Sequence, residues 1–213
     1  MIKKIMMHTL TPQTRAKMKS YQRSKELLEH YKKIRPLISS RLNEFKQPKS
    51  RKEIFQELCF CLLAANTSSK MASRVMESVG DVIFFGSEEQ IREKLHSLSC
   101  RFYNRRANFI YHAQKVDIKL DRDYLAENFK GIGYKEASHF LRNIGISGYA
   151  ILDKHILNSL VEFKVIKEIP KPLTKEKYLE IEKKMKKFSE KIGINMDELD
   201  LVLWSRKNGE VLK

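Results

Sequence analysis

The sequence has no cysteine cluster, no apolar run of membrane-spanning length, no repeat, and too few acids to balance its bases. Its three cysteines, Cys59, Cys61 and Cys100, make no disulfide framework and match no zinc or iron–sulfur spacing. Cys59 and Cys61 lie in an apolar helical stretch, where a free thiol acts as a small hydrophobe. A reducing compartment is therefore expected, with no metal and no other cofactor. The longest apolar run, Leu58 to Ala65, is far short of the roughly 20 residues of a membrane span. Lys3 and Lys4 precede no apolar region, because Pro12 and Arg15 interrupt it. Neither a signal peptide nor an anchor is expected, and the expected location is the cytoplasm. Stretches of β-branched alternation are scarce as well, which argues against a sheet.

Positive charge is what the chain has in excess. It carries 42 Lys and Arg against 26 Asp and Glu, a formal net charge of +16. The distribution is uneven: residues 1–52 hold 15 basic and 3 acidic side chains, a net of +12 that leaves +4 for the rest. Such a field attracts polyanions and speeds their association. A solubilising Lys-rich surface has the same composition. Nucleic acid is the preferred partner class, with DNA and RNA undistinguished at this point.

Helical periodicity runs through nearly every segment, so the expected fold class is all-α. Residues 20–45 place Leu27, Leu28, Tyr31, Ile34, Leu37, Ile38, Leu42 and Phe45 at helical spacing, with a break expected at Pro36. Ile54 to Ala65 reads as a buried helix. Ser68 or Ser69 is a candidate cap for a helix ending at Gly80. A Phe84–Gly86 connection leads to a helix near 88–96, and Asn104 reads as the N-cap of a helix over 105–116. Helices follow over 121–129, 134–144, 154–163, 175–192 and 197–204, and Pro170 and Pro172 bound the one expected hinge.

Residues 125–141 carry the chemistry. Leu125 and Phe129 on one helix, Gly131-Ile132-Gly133 at a hairpin, and Ala137 and Leu141 on the next helix fit a helix-hairpin-helix. The two glycines are expected to adopt positive φ and let the backbone approach a phosphate. The N–H groups opening the second helix then make an anion site that grips DNA without reading its sequence. Lys135 stands in the first turn of that helix, as a phosphate contact or as a nucleophile, and a lysine nucleophile must be neutral. Asp153 follows 18 positions later. The intervening helix is about 16 Å long, and the segment 145–152 is long enough to bring Asp153 back toward Lys135. Asp153 equally fits a plain N-cap of the helix after it. His155 reads as structural or phosphate-facing rather than as a base.

The run Gly131–Asp153 resembles the helix-hairpin-helix DNA glycosylase superfamily, although Gly148-Tyr149-Ala150-Ile151-Leu152-Asp153 lacks the usual proline. Leu62–Ser68 and Tyr103-Asn104-Arg105-Arg106-Ala107 resemble two further turns of that superfamily. No cysteine follows Cys100, which argues against the iron–sulfur branch. The short chain, with Leu203-Trp204 and a terminal Lys213, resembles the compact archaeal and bacterial type-2 8-oxoguanine DNA glycosylase/AP lyases. The resemblance implies two helical lobes with the hairpin at the cleft between them. One lobe is expected over 53–148, the other from 1–52 plus 149–213.

It implies further that Lys135 attacks C1′ of the damaged nucleotide and forms a Schiff base, with Asp153 as its carboxylate partner, and that β-elimination follows. Asn66 would fill the hole left by the extruded base, beside Gly131, Gly133 and His155 as DNA contacts. The carboxylate of Lys213 would accept from the N7–H of 8-oxoguanine, Trp204 would stack on the base, and His139 would line the same wall. The resemblance also implies double-stranded DNA with an oxidised base as the partner, bound by a monomer at the nucleoid of a prokaryotic-type cell. Two other readings stay open: a glycosylase/lyase for oxidised pyrimidines, and a non-catalytic helix-hairpin-helix DNA-binding protein.

Overall fold

The structure is a computed structural model that describes residues 11–211. Among the described residues the chain is helical, with no strand. The helices are α1 (Pro12–Phe45), α2 (Arg51–Ala64), α3 (Ser69–Val79), α4 (Val82–Phe85), α5 (Glu88–Ser97), α6 (Tyr103–Ala113), α7 (Arg122–Asn128), α8 (Tyr134–Asn143), α9 (Lys154–Glu162), α10 (Lys175–Ile192) and α11 (Met196–Asn208). They divide into two compact units: Arg41–Ile151, and the residues up to Ser40 together with Leu152–Val211.

The unit Arg41–Ile151 is built around α2. Ser50 and Glu53 form a reciprocal capping box that starts this helix. Its residues Glu57 to Ala64 are buried without interruption, so it packs on all sides, against α3, α6 and α8. Each fully buried leucine in such a stretch contributes about 1.5–3 kcal/mol by leaving water. Ser68 caps α3 through the Met71 N–H, and Ser87 forms a second capping box at α5. The unit begins inside α1 rather than at residue 53 because Phe45 is buried there, with the Arg142 guanidinium 5.3 Å from its ring centroid.

The other unit packs α9, α10 and α11 with the earlier part of α1. Helix α10 buries Tyr178, Ile181, Met185 and Ser189, one stripe at helical spacing. Tyr31 of α1 donates to Glu198 at 2.9 Å, and Arg23 donates to the Glu162 carbonyl at 2.9 Å. The Pro170–Pro172 segment lies inside this unit and separates nothing.

Three local expectations are corrected. Pro36 does not break α1. It removes one N–H donor, but buried Leu27, Tyr31 and Ile38 continue one packed face across it. Helix α6 starts at Tyr103, and its N-cap is Phe102 rather than Asn104. The expected 84–86 connection is partly helical, as the single turn α4.

Candidate active site

The hairpin joins α7 to α8. Asp121 caps α7 by accepting the Tyr124 N–H at 2.8 Å. The chain turns at Gly131, whose φ is +84°, and the Ile132 N–H returns to the Phe129 carbonyl at 3.1 Å. A Cβ at Gly131 would stand 2.4 Å from Cδ2 of Phe109, so both backbone and packing require glycine there. Gly133 is different and corrects the sequence reading. Its φ is −103°, extended backbone open to any residue, and a Cβ would meet only Glu136 Oε2, at 3.8 Å. The fold alone does not demand a glycine at 133. As the N-cap of α8, Gly133 supplies no side-chain acceptor to the helix start.

Ile132 and Ala137 are buried between the helices as expected. Arg122, at the start of α7, lies between two rings, 5.0 Å from the Tyr134 centroid and 4.4 Å from that of Tyr149. It also donates to Ser138 Oγ at 3.4 Å, while the Tyr134 hydroxyl donates to Asp123. The first turn of α8 and the segment leading toward Asp153 are thereby fastened to α7. Lys135 keeps only 27% of its side chain exposed, and its Nζ donates to Glu136 Oε1 at 3.2 Å. One turn on, His139 is 8% exposed and packs edge-on to Phe60 of α2, with ring centroids 6.1 Å apart.

Asn66 occupies the exposed turn after α2 with φ at +58°. A left-handed conformation is uncommon outside glycine, and asparagine is among the few residues that accept it.

In the other unit, Asp153 is the N-cap of α9, its Oδ1 accepting the Ile156 N–H at 2.7 Å. The Leu152 N–H just before it donates to the Tyr178 hydroxyl at 3.2 Å. The capping reading of Asp153 is thus satisfied, and it orients a half-buried carboxylate that has a second oxygen for other work. His155 is exposed in the first turn of α9, and Trp204 is partly buried on α11, which packs against α9. Glu162, the last residue of α9, pairs with Arg206 at 3.1 Å and with Lys207 at 3.2 Å. Burial raises its carboxyl, but hydrogen bonds and charge from Arg206 and Lys207 outweigh burial and hold it below its ordinary value. Lys213 lies outside the described residues.

Gly131, Gly133, Lys135 and His139 therefore share one hairpin and helix, and Asn66 belongs to the same unit. Asp153, His155 and Trp204 belong to the other. The sequence reading missed Arg122, Glu136 and the buried Arg106. Arg106 and Glu136 stood in segments it had singled out, but spacing says nothing of their contacts. Among the described residues no three His, Cys, Asp or Glu side chains are grouped to hold a metal, and no helix is long and apolar enough to cross a membrane.

The family described as 8-oxoguanine DNA glycosylase (Ogg-HhH) matches residues 38–194. The 8-oxoguanine DNA glycosylase/AP lyase of Korarchaeum cryptofilum is 44% identical over 193 residues, covering 85% of this chain and 92% of that protein. The crystal structure of the Methanocaldococcus jannaschii 8-oxoguanine DNA glycosylase is similar with a TM-score of 0.83 at 40% identity, over 91% of this chain and 97% of that one. The structure of the same organism's 8-oxoguanine glycosylase/lyase with a 15mer DNA containing 8-oxoguanine is similar with a TM-score of 0.81 at 39% identity, over 88% of this chain and all of that one. With hairpin, lysine and capped aspartate on the described helices, and agreement over most of the chain, the protein belongs to the 8-oxoguanine DNA glycosylase family.

Proposed function

We propose that this chain excises 8-oxoguanine from double-stranded DNA and then nicks the strand, acting as a monomer on nucleoid DNA. The observation that carries the reading is the start of α8. There the helix has no side-chain cap at Gly133 and presents a half-buried Lys135 in its first turn. Backbone N–H groups at such a start bind a phosphate, which holds the target strand beside the Lys135 amine.

The Lys135 amine lone pair forms a bond to C1′. The glycosidic bond breaks with its electron pair moving to the base, which departs after taking up a proton. Asp153 stabilises the positive charge that develops on the sugar. Loss of protons from the attached amine and opening of the sugar ring give the Schiff base. It acidifies the C2′ proton, whose removal expels the 3′ phosphate and breaks the strand. Asn66 fills the void left in the stack, with Gly131, Gly133 and His155 on the DNA backbone. Trp204, His139 and the terminal carboxylate of Lys213 read the extruded base.

Borohydride reduction of the chain with duplexes carrying 8-oxoguanine or thymine glycol tests this directly. A covalent adduct is expected with 8-oxoguanine and is lost in Lys135→Gln. A chain that binds duplex but traps on no lesion is a DNA-binding module instead, and preferential trapping on thymine glycol reassigns the substrate to oxidised pyrimidines.

A further inference from the structure

Arg106 is only 3% exposed, a costly place for a permanent charge unless its donors are satisfied. Its Nη2 donates to the Ala65 carbonyl at 2.8 Å and to Thr67 Oγ1 at 3.2 Å, and its Nη1 to Cys100 Sγ at 3.2 Å. The first two acceptors stand on either side of Asn66, the exposed residue at positive φ. The Thr67 hydroxyl in turn donates to the Leu63 carbonyl at 2.7 Å, which anchors the bracket in the end of α2. The Arg106 N–H bonds the Phe102 carbonyl at 3.0 Å and so closes the first turn of α6. About one turn further along α6, the Phe109 ring lies against Gly131 of the hairpin. Helix α6 is therefore a strut between the Asn66 turn and the hairpin, all within one unit.

We propose that Arg106 is the positioning residue for Asn66. Its Nη2 alone holds both flanks of the turn while Nη1 is tied to Cys100, so the Asn66 side chain meets the void in the base stack already oriented. A turn held this way does not have to be ordered while the base leaves, which lowers the barrier to extrusion. A lysine keeps the charge but is one flexible donor group, without the second nitrogen whose bond to Cys100 fixes where Nη2 points. The inference rests on the reading of Asn66 as the residue that fills the void.

A double-mutant cycle on single-turnover excision from an 8-oxoguanine duplex tests it. Asn66→Ala and Arg106→Lys are each expected to slow excision about tenfold, the size of one charge-assisted hydrogen bond. The double variant is expected to be no slower than the slower single one. With 2-aminopurine beside the lesion, Arg106→Lys is expected to show a smaller fluorescence rise on binding, while anisotropy on undamaged duplex stays unchanged. If Arg106→Lys does not fold, Thr67→Val removes one flank of the bracket and takes its place in the cycle. Additive losses overturn the inference, as does a slow Asn66→Ala with an unimpaired bracket variant. An Asn66→Ala that excises at the parental rate removes the void-filling reading, and the inference falls with it.

Discussion

Helix α9 opens on Asp153, whose carboxylate takes the Ile156 N–H at 2.7 Å, and closes on Glu162, held by Arg206 and Lys207. Helix α8 opens on Gly133, which brings no side chain to its N-terminus. Both helices carry half of the proposed catalytic pair. One start is completed by the side chain of its own N-cap, and the other has no side-chain cap. A helix N-terminus carries about half a unit of positive charge on unsatisfied N–H groups, and at α9 that charge is used to aim a carboxylate. At α8 no side chain uses it, and its proposed role is to bind phosphate beside the Lys135 amine.

The largest expected effect separates capping from chemistry at α9. Asn caps about as well as Asp, so Asp153→Asn is expected to keep the melting temperature of the parent. Single-turnover excision should nevertheless fall on the order of a hundredfold, because the charge facing the developing cation is gone. A matching loss of stability and activity would make Asp153 a cap and nothing more.

The hairpin glycines sharpen the contrast at α8. Gly131→Ala places a Cβ into the Phe109 ring at positive φ and is expected to destabilise the fold by about 2–4 kcal/mol, read by denaturant titration. Gly133→Asp supplies the cap that α8 lacks, so stability should change by less than about 0.5 kcal/mol. Duplex affinity should fall about tenfold, since the new carboxylate occupies and repels the phosphate position. Unchanged affinity would mean that this helix start does not hold DNA.

The smallest effect is at the far end of α9. The Glu162 carboxyl is held below its ordinary value of 4.5, so its stabilising contribution is present above that pH and is lost as pH falls through the lower folded value. Glu162→Gln should therefore melt below the parent at neutral pH, and the gap should close in acid below about pH 4.5. A gap independent of pH would remove the ionised pair as its source.

Much of this molecule was legible in local sequence. The helical period located the helices, because each buries a stripe at 3.6-residue spacing, as Tyr178, Ile181, Met185 and Ser189 do on α10. Ser68 and Asp153 were legible as caps, and Ser50, Ser87 and Asp121, which the sequence reading did not single out, start helices the same way, each accepting an N–H three residues on. Local rules failed where packing at a distance decides. Pro36 is carried inside α1 by the face that continues past it, and Phe102 rather than Asn104 opens α6.

The sequence by itself determined the helical class, the hairpin, and Lys135 and Asp153 as candidates, since all of these depend on residue type and near-neighbour spacing. Tertiary structure decided which glycine is indispensable. Gly131 is confined by the Phe109 ring, a contact between residues 22 positions apart, while no described residue stands closer than 3.8 Å to a Cβ at Gly133. Tertiary structure also decided the bracket around Asn66. A buried guanidinium finds the acceptors that make its burial tolerable only after α2 and α6 have packed, and no spacing rule within either segment encodes that meeting.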